Sequence, residues 1–74
     1  MNEFDIRYNL EIVKFGDQLR KIRESKKMTQ LDLEVNSGIS RTEISRIENG
    51  LKNIEFITLT KLATALEIEL KDFF

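Results

Sequence analysis

The segment "SRTEISRIENG", residues 40–50, places Arg41, Thr42, Ser45, Arg46 and Asn49 at i, i+1, i+4, i+5 and i+8. At 3.6 residues per helical turn these positions form one continuous polar strip, opposite Ile44 and Ile47. A guanidinium fork can bond O6 and N7 of guanine bidentately, a threonine methyl can touch a thymine methyl, and a serine hydroxyl can pair with base edges. The strip therefore holds side chains suited to reading duplex DNA. A polar strip is more often a solvated helix face. Two arginines directly after a helix-turn-helix cap favour the DNA reading.

Other chemistries are poorly supplied. The chain has no histidine and no cysteine, which excludes imidazole catalysis, disulfides and the usual zinc sites. No nucleophile–base set, phosphate loop or metal cluster is present, so neither an enzyme nor a cofactor or metal site is expected. The lack of cysteine fits a reducing compartment. No run of 18 apolar residues and no basic-then-apolar leader occurs, so the expected location is cytoplasmic, with no membrane partner.

The net charge of −1 hides an uneven distribution. Residues 14–29 carry six basic and two acidic groups, and residues 40–52 are net +1. The blocks 1–13, 30–39 and 53–74 are each net −2. A basic stripe on an acidic body can be an electrostatic footprint for nucleic acid, although charge alone favours a solvated face.

Seventy-four residues make one small domain. Ile12, Phe15, Leu19 and Ile22 share one helical face and predict a helix over residues 10–26, weakened slightly by Gly16. Thr29-x-x-Asp32 is a capping-box variant that opens a second helix, and Gly38 limits it to about Ser37. Ser40-x-x-Glu43 is a capping box for a third helix, ended by Gly50 after Asn49. The turn "SGIS" between them leaves Ile39 to plug the angle. Phe56, Leu59, Leu62, Ala63 and Leu66 predict a fourth helix over 55–67, and "LKDFF" a last short turn closing the core. The expected fold is all-α: a compact domain of about five helices with a central helix-turn-helix.

The N-terminal end fits two periods. Phe4, Ile6, Tyr8, Leu10 and Ile12 alternate as in a strand, while Tyr8, Ile12, Phe15, Leu19 and Ile22 make a helical stripe. The expectation is an extended or frayed arm over residues 1–8, with the domain proper at 9–74.

From Leu19-Arg20 through Ile22-Arg23, Thr29-Gln30, Leu33, Gly38-Ile39-Ser40, Ile44-Ser45, Ile47-Glu48 and Gly50, then Leu59, Leu62-Ala63 and Leu66, the chain resembles the Cro/repressor-type (XRE-like) helix-turn-helix family of bacterial and phage transcription regulators. The resemblance covers about residues 15–74. It implies that the third helix enters the major groove and that the second lies across the DNA backbone. Arg41, Thr42, Ser45 and Arg46 would then read bases. Thr29, Gln30, Ser40, Asn49 and Lys52 match phosphate-contacting positions, with Gln30 also bracing the third helix. Arg23 and Glu48 match a structural ion pair. Arg20, Lys21, Lys26 and Lys27 are expected to be plain solvated residues.

Three positions depart from the family pattern. Glu34 stands where alanine is usual, and a buried unpaired carboxylate would be costly. Leu31 and Val35 occupy places that are usually polar. Ile54-Glu55 replaces the usual Pro-Ser cap of helix four. The resemblance implies a sequence-specific DNA-binding regulator, a homodimeric repressor or autoregulator, whose partner is double-stranded DNA. Phe56, Phe73 and Phe74 are the candidate dimer residues. The alternative is a protein-binding module, such as an antitoxin with a toxin or other protein partner on a Leu31/Val35 patch.

Overall fold

The computed structural model describes residues 2–74. Its first helix, α1, spans Glu3–Ser25. Asn2 caps it, with Oδ1 accepting the Asp5 N–H at 2.8 Å. Glu3 and Asp5 in the first turn suit the positive end of the helix dipole. The stretch before Asn9 is thus helical rather than extended, and the expected arm boundary at residue 8 falls inside α1. Of the arm, Met1 lies outside the described residues. The alternating pattern fails as a strand because a strand needs a neighbour to satisfy its backbone groups, whereas a helix satisfies them locally. Phe4 and Tyr8, one helical turn apart, stack with ring centroids 6.0 Å apart.

Three further helices follow: α2 (Gln30–Ser37), α3 (Arg41–Glu48) and α4 (Phe56–Leu66), then a closing 3-10 turn (Leu70–Phe73). The Thr29 capping box is complete: Thr29 Oγ1 accepts the Asp32 N–H, and Asp32 accepts the Thr29 N–H. Ser40 supplies the serine half of its box, accepting the Glu43 N–H at 3.1 Å. Gly38 closes α2 at φ 77°, with its N–H on the Glu34 carbonyl. Gly50 closes α3 at φ 71°. There the Gly50 and Leu51 N–H groups reach back to the Ile47 and Arg46 carbonyls, the paired bonds of a Schellman motif. Glu55, the N-cap of α4, makes no side-chain cap bond, consistent with the missing Pro-Ser.

The core is built from Phe15 and Leu19 of α1, Leu33 of α2, Ile44 and Ile47 of α3, Leu62, Ala63 and Leu66 of α4, and Phe73, with Ile39 plugging the α2–α3 turn as its position suggests. Ile22, Ile54, Leu59 and Leu70 pack against its edge. Phe56, in the first turn of α4, is 70% exposed and lies outside the core. One aromatic expectation is corrected. Phe73 is 3% exposed, so within the monomer it is a core residue rather than free dimer surface. Only Phe74 of that pair stays outside, 83% exposed against Phe15.

Candidate nucleic-acid interface

The polar strip on α3 is where its spacing placed it. Arg41, Thr42, Arg46 and Asn49 are exposed and Ser45 is half-buried, while Ile44 and Ile47 face inward. The N-termini of α2 and α3 follow the exposed caps Thr29 and Ser40. Helix starts present unpaired backbone N–H groups to an anion. Lys52 is half-buried in the loop after α3. The structure thus brings the four base-reading candidates onto one short helix and the phosphate candidates to its two ends.

α3 is fixed by one buried carboxylate. The Glu48 side chain is 1% exposed. Its Oε2 accepts Arg23 Nε at 2.7 Å, and its Oε1 accepts Arg23 Nη2 at 3.0 Å and Gln30 Nε2 at 3.0 Å. Arg23 Nη1 also donates to the Met28 carbonyl at 2.8 Å. α1, the α1–α2 loop, α2 and α3 therefore meet at Glu48. The bond to Glu48 raises the already high Arg23 pKa against the opposing effect of burial. Gln30 braces α3 through this carboxylate. Among the described residues, no buried side-chain nitrogen or oxygen lacks a partner. Glu34 is only half-buried, which removes the concern about a buried charge in α2, and Leu31 and Val35 are exposed.

Two contributors were not recognisable from the sequence. Arg20 is no plain solvated residue: its Nη2 donates to the Glu48 carbonyl at 2.8 Å and to Asn49 Oδ1 at 3.3 Å. It thereby caps the C-terminal end of α3 and holds Asn49, whose Nδ2 lies 3.5 Å from Ser45 Oγ. Gly16 is buried where α1 crosses the end of α3. A Cβ there would strike the Ile47 carbonyl oxygen and come within 2.9 Å of that of Glu48. A basic residue one turn before Arg23 was the available signal for Arg20. For Gly16 the signal was a glycine inside an otherwise strong helical pattern.

Among the described residues no group of His, Cys, Asp or Glu is arranged to hold a metal, and no helix is long and apolar enough to cross a membrane.

A helix-turn-helix family profile matches residues 19–73. The HTH-type transcriptional repressor RghR of Bacillus subtilis (strain 168) is 49% identical over 55 residues, which cover 73% of this chain and 41% of RghR. The chain thus spans about two fifths of that relative's length. The restriction-modification controller protein C.AhdI from Aeromonas hydrophila superimposes with a TM-score of 0.86 at 38% identity, over 88% of this chain and 98% of that one. The controller protein C.Esp1396I, solved as a tetramer on its natural 35 base-pair operator, gives a TM-score of 0.78 at 35% identity over 84% and 82% of the two chains. The all-helical fold, the punctuated α2–α3 unit and these likenesses agree, and the chain belongs to the Cro/repressor-type (XRE-like) helix-turn-helix family of DNA-binding transcriptional regulators.

Proposed function

We propose that this protein is a sequence-specific regulator that binds duplex DNA as a homodimer, with α3 in the major groove of each half-site. The observation that carries this reading is the exposed strip Arg41, Thr42, Ser45 and Arg46, set on a helix that a buried carboxylate holds in place. Thr29, Gln30, Ser40, Asn49 and Lys52 grip phosphates on either side of it. One α3 covers only a few base pairs, so two copies on half-sites about 34 Å apart supply useful affinity. The C-terminal end, with exposed Phe74, and the exposed Phe56 support self-association. Two of the proteins it resembles are restriction-modification controllers, and the likeness to C.AhdI spans nearly all of that chain. That favours an autoregulatory controller over a phage repressor or an antitoxin, acting in the cytoplasm.

Selection from random duplex DNA, followed by a salt titration on the winning site, tests this reading. The expected outcome is a palindromic site whose affinity falls with salt at a log–log slope of about −0.9 per phosphate contacted. An apolar protein contact on Leu31 and Val35 would barely respond to salt. Failure to enrich any sequence would end the base-reading assignment.

A further inference from the structure

Arg20 of α1 reaches across to the end of α3 and is held there on several sides. Its Nη2 donates to the Glu48 carbonyl at 2.8 Å and to Asn49 Oδ1 at 3.3 Å. Its Nε stands 3.7 Å from Glu48 Oε1, and its Nη1 3.5 Å from Asp17 Oδ1. A guanidinium carries donors only, in a fixed fork. That property decides how the Asn49 amide sits. A side-chain amide can be turned end for end with little change of shape, but only its oxygen can face a group made of donors. Oδ1 therefore points to Arg20, and the Nδ2 amino group to the other side. There it meets Ser45 Oγ, one helical turn earlier, at 3.5 Å.

The polarity passes on to Ser45. Its Oγ faces the hydrogens of Nδ2, so its own hydrogen cannot point that way. Among the described residues the Ser45 hydroxyl donates to nothing in the chain. Its hydrogen is left for a partner outside, on the strip that Ser45 shares with Arg41, Thr42 and Arg46. A serine by itself can pair with either kind of base edge. One whose oxygen already accepts is a donor, and it suits an edge of acceptors: N7 and O6 of guanine, or O4 of thymine. It is mismatched with the amino groups of adenine and cytosine. The remaining Nδ2 hydrogen of Asn49 stays available to a phosphate oxygen.

We propose that Arg20 is a positioning residue for base recognition: through Asn49 it sets Ser45 as a hydrogen-bond donor, and so selects guanine or thymine at the position that Ser45 reads. This rests on the base-reading assignment of α3 above. Competition between single-base-substituted sites, chosen by selection from random duplex DNA, tests it. Ser45→Ala identifies the position, as the base pair where preference falls on the order of tenfold. Asn49→Asp keeps an acceptor for Arg20 but has no hydrogen to offer Ser45, whose hydroxyl then turns to the carboxylate and leaves Oγ as an acceptor. The preference at that pair is expected to reverse, to adenine or cytosine. A lost phosphate contact and the added negative charge weaken all sites alike and do not move this ratio. With Ser45→Ala added, Asn49→Asp is expected to cause no reversal. Arg20→Ala is expected to blunt the preference at this pair, and Arg20→Lys, still donor-only, to restore it. An unchanged preference in Asn49→Asp would overturn the proposal, as would a reversal that persists without Ser45. So would an Arg20→Ala variant that blunts every pair read by α3 equally, since a purely structural role gives that pattern. If the wild type enriches a defined site while these tests fail, DNA reading stands and the relay falls. If the wild type enriches no sequence, both fall.

Discussion

Gly16 and Ile47 meet where α1 crosses the end of α3: a methyl group on Gly16 would land on the Ile47 carbonyl oxygen. Propensity alone predicts that Gly16→Ala stabilises α1 by ~1 kcal/mol. The contact predicts the opposite. Backbone atoms cannot swing aside as a flexible side chain can, so α1 and α3 must separate. The expected result is a net loss of ~1–3 kcal/mol in urea unfolding, with weakened operator binding because α3 is displaced. A stabilised variant would mean that the two helices do not approach so closely.

Glu48→Ala removes the carboxylate shared by Arg23 and Gln30. Arg23 is itself buried, so the mutation leaves an unpaired charge in the interior. The expected loss is ~3 kcal/mol or more, with sequence preference retained in whatever fraction still folds. Unchanged melting together with lost preference would instead make Glu48 a base contact.

The helix ends were largely legible in the sequence because their chemistry is local. Thr29 with Asp32, Ser40, Gly38 and Gly50 act within four residues of themselves, and each stands where its type required. Gly16, Arg20 and the start of α1 were not, because their meaning comes from partners about 30 residues away or from the absence of any. Gly16 looks like a flaw in a helix until Ile47 is beside it. The alternation before Asn9 suits a strand until no neighbouring strand is found among the described residues. The candidate base-reading strip was legible for a third reason, since its residues need no partner inside the chain.

Two helices end on a non-glycine residue in the left-handed region: Lys27 at φ 58° and Glu67 at φ 57°. Each closes a Schellman motif, with the Met28 N–H on the Arg23 carbonyl and the Ile68 N–H on the Ala63 carbonyl. An L-residue pays roughly 1–2 kcal/mol for this conformation, and glycine does not. Glu67→Gly, which alters an exposed side chain, is expected to raise stability by ~0.5–1 kcal/mol once the greater entropy of unfolded glycine is subtracted. A lower melting temperature would count against the strained cap.

Asp32 accepts the Thr29 N–H at 2.8 Å, and this bond, helped by the Thr29 hydroxyl, lowers its pKa below the usual carboxylate value. A depressed folded-state pKa contributes stability that is fully present above the unfolded value, about 3.9, and is lost as pH falls through the folded one. Asp32→Asn should therefore flatten the acid limb of the stability–pH curve below about pH 4, leaving the neutral region without a new slope. An unchanged acid limb would show that the capping box does not hold the charge.

Arg41 and Arg46 are exposed, and among the described residues neither side chain makes an ion pair or hydrogen bond within the chain. Their removal should cost the fold almost nothing, and melting temperatures of Arg41→Ala and Arg46→Ala should match wild type. On the selected site each should lose about 1–3 kcal/mol, with relaxed preference at the base pair that the arginine reads. Lys52→Ala serves as the contrast. A phosphate contact should weaken binding evenly across sequences and reduce the salt slope by about one unit. Competition with single-base-substituted sites separates the two patterns. If Arg41 and Arg46 behave as Lys52 does, α3 grips the backbone and the bases are read elsewhere.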